Sequence, residues 1–367
     1  MTRGAILSVL IPVRAFDASF ALDRLGSRRS LIDDGIEIVV TDDGSAIDIA
    51  RQIERFCENA GWVYHRLDSV DSPFSLARAR NAGLEKAAGG NVFFDDLDMV
   101  YPNDFFQRVV RELSLLETTP LDFLSFPAIY LSEEASRSVL QEGIEAHAPA
   151  LLTSALLEDP RGHPANRMID SFSPASAILA MAKQVALLCG GFDENFQGWG
   201  GEDRDFIFRL LARNDRLPRP AGFSQTRLTN LNDTHAFEGW RSLLKLHGDY
   251  ASRKGLYAFH LHHPVNSWRK DRSNIEEAAR RALDHPLEEQ DPAFVSEREA
   301  LRRSTLFSSL SLGEGEGPAS PASRKRGDTS ARFRKLRRDP HGYFRDARFP
   351  FSTTISKLFR PRTNVVD

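Results

Sequence analysis

The sequence predicts an α/β fold built on a parallel, doubly wound sheet. Short apolar runs alternate with amphipathic stretches through the first third of the chain, and the second of these runs stops abruptly at Thr41-Asp42-Asp43-Gly44-Ser45. Strand–helix–strand alternation of this kind implies parallel strands with ligands at their carboxyl ends.

The first run, Ile6 to Ile11, continues to Val13 through Pro12. It has no basic region before it and no small-residue cleavage site, so it reads as a first strand and not as a signal peptide. Ile36 to Val40 is the second strand. Residues Ala46 to Ala60 then place Ile49, Ile53 and Phe56 four and three apart, on one helical face. Val63-Tyr64-His65 is the expected third strand, Leu76 to Ala88 a helix closed by Gly89-Gly90, and Val92-Phe93-Phe94 another buried strand. From about Leu121 the pattern loosens into strands, loops and turns as far as Phe192 to Arg213. A helical stretch returns from Asn274 to about Leu283, and Ser308 to Asp328, with Gly-Glu-Gly-Glu-Gly-Pro at its centre, reads as a linker.

Composition excludes several classes. No apolar run approaches the roughly 18–20 residues that span a bilayer. Cys57 and Cys189 stand in unrelated contexts and build neither a disulfide framework nor a zinc site, so two buried thiols in a reducing cytoplasm are expected. The net charge of −3 is unevenly spread: Ser323 to Arg362 holds 13 Lys/Arg against 3 Asp/Glu, a local +10, which leaves −12 on residues 1–322. An acidic body and a basic tail meet different partners.

Two constellations carry chemistry. In Phe93-Phe94-Asp95-Asp96-Leu97-Asp98-Met99, three carboxylates sit where a buried strand ends. A pair of acids there could cap a helix, but burying three uncompensated charges is costly. A divalent cation and a diphosphate would relieve the repulsion, and such hard oxygen ligands suit Mg²⁺ or Mn²⁺. The second constellation runs from Gly191 to Asp203 and ends Trp199-Gly200-Gly201-Glu202-Asp203. The glycines permit close approach of backbone to ligand, and Trp199 offers a flat face to a sugar ring. Glu202 and Asp203 open a helix with apolar repeats at Phe206, Leu210 and Ile207, Leu211. The helix dipole favours acids in a first turn, which accounts for the pair but not for the Trp-Gly-Gly before it.

At these residues a family resemblance is visible. Asp96-Leu97-Asp98 resembles the DxD motif of GT-A glycosyltransferases, and Trp-Gly-Gly-Glu-Asp is similar to the acceptor-side motif of β-1,4-galactosyltransferases and of chondroitin-polymerase-like members of glycosyltransferase family two. Leu10-Ile11-Pro12-Val13, the Val40 to Ser45 segment and Ala79-Arg80-Asn81-Ala82-Gly83-Leu84 follow the family-two order, and the resemblance covers about residues 5–270. It implies a GT-A fold with a nucleotide-sugar half at 1–120 and an acceptor half at 121–270, followed by a helical extension at 271–307, a linker at 308–330 and a basic tail at 331–367. Pro12, Val13, Asp42, Asp43, Arg80 and Asp96 are the implied donor-side residues. Trp199, Gly200 and Gly201 join them in holding the nucleotide sugar.

The resemblance further implies that Asp98 ligates Mn²⁺ or Mg²⁺, that Asp203 is the catalytic base and that Glu202 lies beside it on the acceptor. Asp203 stands where related retaining enzymes have Asn, which favours inversion. The family also needs a downstream metal-binding histidine. Ala258-Phe259-His260-Leu261-His262-His263-Pro264 resembles its Ala-Tyr-His…Pro element and points to His260, with His235 as the alternative. Strand periodicity would put His260 and His262 on one face and His263 on the other.

The expected activity is metal-dependent, inverting transfer from a UDP-linked sugar to a glycan acceptor, in capsular or other cell-surface polysaccharide synthesis. The rivals are a non-catalytic nucleotide-sugar-binding relative and a metal-dependent hydrolase using the histidines. In the tail, Phe333, Leu336 and Tyr343-Phe344 interleave with cations. A solvated appendage and an anchor on an anionic membrane surface both fit, and similar tails in capsule-type glycosyltransferases favour the anchor. No nucleic-acid recognition fold accompanies the charge. The expected location is cytoplasmic, peripheral on the inner face of the cytoplasmic membrane.

Overall fold

The computed structural model describes residues 6–31, 35–116, 122–157, 167–214, 219–220, 222–224, 238–263 and 271–285. The apolar runs of the first third become β1 (Leu7–Val13), β2 (Ile36–Asp42), β3 (Val63–Arg66) and β4 (Asn91–Phe94). All seven residues of β1 are buried, as a central strand covered on both faces requires. Between the strands lie α1 (Ala18–Gly26), α2 (Ile47–Ala60) and α3 (Leu76–Lys86). Ile53 of α2 is fully buried, with Ile49 and Phe56 packed against the same core.

Strands β3, β2, β1 and β4 are parallel neighbours, as expected. Beyond β4 the sheet departs from the parallel pattern. β9 (Leu179–Ala182) is antiparallel to β4 and to β6 (Phe123–Ser125), giving the order β3-β2-β1-β4-β9-β6. These late strands are three or four residues long, too short to show a period. A second sheet, in the order β5-β10-β7-β8, joins β5 (Met99–Val100), β7 (Ala128–Leu131), β8 (Ile169–Ser173) and β10 (Ala258–His260).

The stretch after Leu121 is more helical than its sequence suggests, holding α5 (Glu133–Glu142), α6 (Ala148–Leu157) and α7 (Lys183–Leu188), after α4 (Phe105–Leu116). Helices α8 (Glu202–Arg213), α9 (Trp240–Arg253) and α10 (Ser273–Asp284) complete the described body. Helix α3 ends at Lys86, before the Gly pair expected to stop it. Gly89 has another task, because a Cβ there would lie 2.8 Å from the Ser8 amide nitrogen. Cys57 and Cys189 are free and buried, as expected. Among the described residues no helix is long and apolar enough to cross a membrane. His235, the linker and the basic tail lie outside the described residues.

Candidate active site

The carboxyl ends of β1, β2 and β4 lie along one edge of the sheet, and the acid-rich segments follow directly. The two faces of β4 anchor the site, because successive side chains point to opposite sides of a strand. Phe93 packs edge-on with Tyr101, Phe105 and Phe106 at ring separations of 5.7, 5.9 and 5.2 Å. Phe94 packs on Phe192 at 5.0 Å and on Phe206 of α8 at 5.8 Å. Aromatic contacts of this geometry add about 0.5–1.5 kcal/mol each beyond area burial. The strand that ends in the acid cluster therefore also seats the helix that begins with Glu202 and Asp203.

The three acids after β4 have different partners. Asp95 is fully buried, and its carboxylate accepts from Arg28 Nε at 3.0 Å and from Tyr101 Oη at 2.5 Å. Burial pushes its carboxyl up to about 6 against the pull of Arg28. Arg28 also donates to the carbonyls of Asp96 and Leu97, at 2.6 and 3.2 Å, and so shapes the loop from within. Asp96 accepts from Arg80 at 2.8 Å. The repulsion that a cation and diphosphate were expected to relieve is thus already met by arginines at two of the three acids.

Asp98 alone faces histidines. Its Oδ2 lies 3.3 Å from His260 Nε2 and 2.9 Å from His263 Nε2. Burial alone would raise the Asp98 carboxyl, but His260 and then His263 hold it well below the usual carboxylate range. The antiparallel register His260↔Met99 between β10 and β5 brings the histidine segment here. Ligand atoms of Asp98, His260 and His263 all lie within 4.8 Å of one another, a donor set that fits a divalent cation. The face alternation expected of the histidines fails because β10 ends at His260, so strand geometry no longer governs the next residues and His263 also reaches Asp98.

Arg80 connects the two motifs. At 2% side-chain exposure it donates to Asp96 at 2.8 Å and to Glu202 at 3.1 Å. Burial works against its charge, but Asp96, Glu202 and Asp203 outweigh that and hold it protonated. Burial, and next the neighbouring Asp203, push the Glu202 carboxyl up to about 7 in spite of Arg80. The adjacent Asn81 exchanges hydrogen bonds of 2.8 Å with the backbone of Phe192, and Gly83 passes Thr41 so closely that a Cβ would sit 3.1 Å from its hydroxyl. Three positions of one helix motif, Arg80, Asn81 and Gly83, thus hold the acid cluster, the Gly191–Phe192 segment and the sheet.

Asp42 and Asp43 are fully buried with every carboxylate oxygen engaged. Asp42 accepts from the Ser45 amide and the Tyr64 hydroxyl, each at 2.7 Å. Asp43 accepts from Ser69, the Ser75 amide and two nitrogens of Arg78. As placed, both acids hold loops together at the strand ends. Pro12 and Val13 are buried in β1, and the cleft wall begins at the next residue, Arg14.

Two cavities flank this network. The larger, of about 1120 Å³, is lined by Arg14, Phe16, Phe20, Asp98, Trp199 and His263 among others. The smaller, of about 280 Å³, is lined by Arg80, Asp96, Trp199, Glu202, Asp203 and His260 among others. Trp199 borders both. Gly200 and Gly201 take φ of 82° and 93°, and a Cβ on Gly201 would lie 2.5 Å from the Asn274 carbonyl oxygen. Asn274, at the start of α10, donates to the carbonyls of Gln197 and Trp199 at 2.7 and 3.3 Å. The helix expected as an extension thereby packs on the Trp-Gly-Gly loop itself. The sequence reading missed Arg28, Tyr101, Phe16 and Asn274, none of which stands in a motif. Strand alternation would put His263 on the opposite face from His260, whereas both reach Asp98.

Comparison with known proteins agrees with this architecture. The sequence matches the family described as glycosyltransferase like family 2 over residues 8–283, so the chain belongs to that family and its α/β body is of the GT-A type. It is 28% identical over 230 residues to chondroitin synthase of Escherichia coli, an overlap of 56% of this chain and 32% of the relative. A 43-residue stretch is 44% identical to human β-1,4-galactosyltransferase 1, covering 12% of this chain and 11% of that one. The chain spans about a third or less of the length of these curated relatives. Among solved structures, Staphylococcus aureus TarS 1-349 in complex with UDP-GlcNAc is similar at 13% identity and a TM-score of 0.45, covering 83% of this chain and 76% of that one.

Proposed function

We propose that the protein is an inverting, metal-dependent glycosyltransferase that moves a sugar from a UDP-linked donor to a glycan acceptor, in synthesis of a capsular or other cell-surface polysaccharide. The observation that carries this reading is the buried Arg80 bridge between Asp96 and Glu202, which joins the donor-side and acceptor-side motifs into one charged network between two cavities. The similarity to a chondroitin synthase supports a polysaccharide product.

The larger cavity suits a nucleotide sugar and the smaller one the acceptor's reacting end. Trp199, on the border, would stack on a sugar ring. Asp203 would accept the proton of the acceptor hydroxyl as its oxygen attacks the anomeric carbon and the bond to the diphosphate breaks, its electrons leaving with the diphosphate. Glu202, held by Arg80, would orient that hydroxyl. Asp98 and His260 would hold Mn²⁺ or Mg²⁺, which when bound supplies positive charge to the diphosphate leaving group. One displacement gives inversion.

The test is UDP release from UDP-sugars with Mn²⁺, with and without glycan acceptors. The reading expects release that needs both metal and acceptor. It also expects turnover to drop by roughly 10²–10⁴ in Asp203→Asn while donor binding persists, the range for a lost acid–base group. Equal release without acceptor would make the protein a hydrolase. Binding of UDP-sugar without release across the acceptor panel would make it a non-catalytic relative.

A further inference from the structure

Helices α8 and α9 both begin at the smaller cavity. Trp240, the first residue of α9, is 2% exposed, and its ring meets Phe208 of α8 edge-on at 6.3 Å. The first turn of each helix carries an arginine, Arg204 in α8 and Arg241 in α9. Both are partly buried, and both line the cavity together with Asp203.

The charged network already described does not use these arginines. Arg80 meets the other two acids of the cavity, Asp96 and Glu202. Asp205, the next acid of α8, accepts from Arg209 at 2.8 Å. Asp203 accepts the backbone amide of Arg204 at 2.8 Å, and no ion pair holds the Arg204 side chain among the described residues. Burial, and next the charge of Arg204, pull the Arg241 guanidinium down to about 10, with Asp203 opposing. Two like charges are thus held at one small cavity, where each raises the cost of the other.

We propose that Arg204 and Arg241 form an anion subsite for the acceptor, so that the sugar receiving the new linkage carries a carboxylate or a phosphate. This rests on the transfer proposed above, with the smaller cavity on the acceptor side, and goes beyond it in naming the acceptor's chemical class and the residues that select it.

Three considerations support it. A bound anion relieves the repulsion between the guanidiniums, and the two helix N-termini add partial positive charge at the same wall. A guanidinium presents paired donors that match the oxygens of a carboxylate or phosphate, in bonds roughly twice as strong as those to a neutral hydroxyl. Arg204 also follows Asp203 directly, so an anion held there would fix which hydroxyl of the sugar faces the carboxylate that is to take its proton. Asp203 would repel the same anion if the arginines did not hold it, so the pair sets orientation as well as affinity.

The experiment measures binding of oligosaccharides to the full chain by calorimetry, with Mn²⁺ and UDP present. One oligosaccharide ends in a uronic acid, the second is the same molecule with that carboxylate reduced to an alcohol, and the third ends in a phosphorylated hexose. At least one anionic oligosaccharide should bind about tenfold or more tightly than the reduced one, the low end of what a hydrogen bond to a charged group is worth. Whichever anion binds better identifies its source. Arg204→Gln and Arg241→Gln should each remove most of that preference. Arg204→Lys and Arg241→Lys keep the charge without the paired donors and should retain part of it, which keeps the test decisive should a Gln variant fold poorly. Equal binding of the reduced oligosaccharide, no binding of either anionic one, or a preference unchanged in either Gln variant would overturn the inference. UDP release with neutral acceptors alone would likewise overturn it and leave the proposed transfer standing. Selective binding of an anionic oligosaccharide without UDP release from any UDP-sugar would uphold the subsite and remove the transfer.

Discussion

Arg80 stands between Asp96 and Glu202 with its side chain 2% exposed, and its charge only partly offsets what raises the Glu202 carboxyl. Glu202 is pushed up to about 7 from an ordinary 4.5, first by burial and then by Asp203. A carboxyl whose folded value is raised binds its proton more tightly in the fold than in the unfolded chain. Its contribution to stability is therefore complete below the unfolded value and is lost as pH rises through about 7. Glu202→Gln cannot ionise, so in EDTA its Tm should gain on the wild type between about pH 5 and pH 8, read by calorimetry. A constant gap over that range would contradict the buried, charge-strained placement. The acids themselves were visible in the sequence because they stand in motifs. Arg28 was not, since one of several arginines between Arg24 and Arg29 carries no sign of the acid loop it will meet 67 residues later.

Among the elements, α10 shows how a helix outside the named motifs completes a site. Asn274 holds the carbonyls of Gln197 and Trp199, Arg281 pairs with Asp193, and Arg281 lies over the Phe196 ring at 4.6 Å. Asn274→Ala removes two hydrogen bonds to the Trp-Gly-Gly loop. About 1 kcal/mol of stability per bond should be lost, together with a rise in acceptor KM larger than the rise in donor KM. An unchanged acceptor KM would show that the loop keeps its shape without the helix. The helical period of Asn274 to Leu283 was legible, but its docking partner was not, because Asn274 and Arg281 reach groups about 75–90 residues earlier in the chain and leave no local pattern. The parallel strands were legible because β1, β2, β3 and β4 alternate with helices along the chain, while β9 and β6 stand outside that alternation and take their direction from the sheet they join. The histidine face was misjudged because alternation assumes a continuing strand, and β10 stops at the first histidine.

At the scale of the whole chain, the charge split sets up a prediction about the basic segment, which carries +10 against −12 on residues 1–322. Each cation near an anionic surface is worth about 1 kcal/mol, falling off within a Debye length of roughly 8 Å. The full chain should sediment with anionic vesicles at low salt and be released at high salt. Truncation after Gly317 should abolish that binding without changing activity on a soluble acceptor. Failure of the full chain to sediment at low salt would make the segment a solvated appendage. The central claim, a single displacement with Asp203 as base, concerns the body alone. It is tested most directly by NMR of the anomeric proton in the first-formed product of a UDP-sugar of known configuration. A single displacement gives a new linkage of the opposite configuration to the donor's; a product that retains the donor's configuration would contradict it.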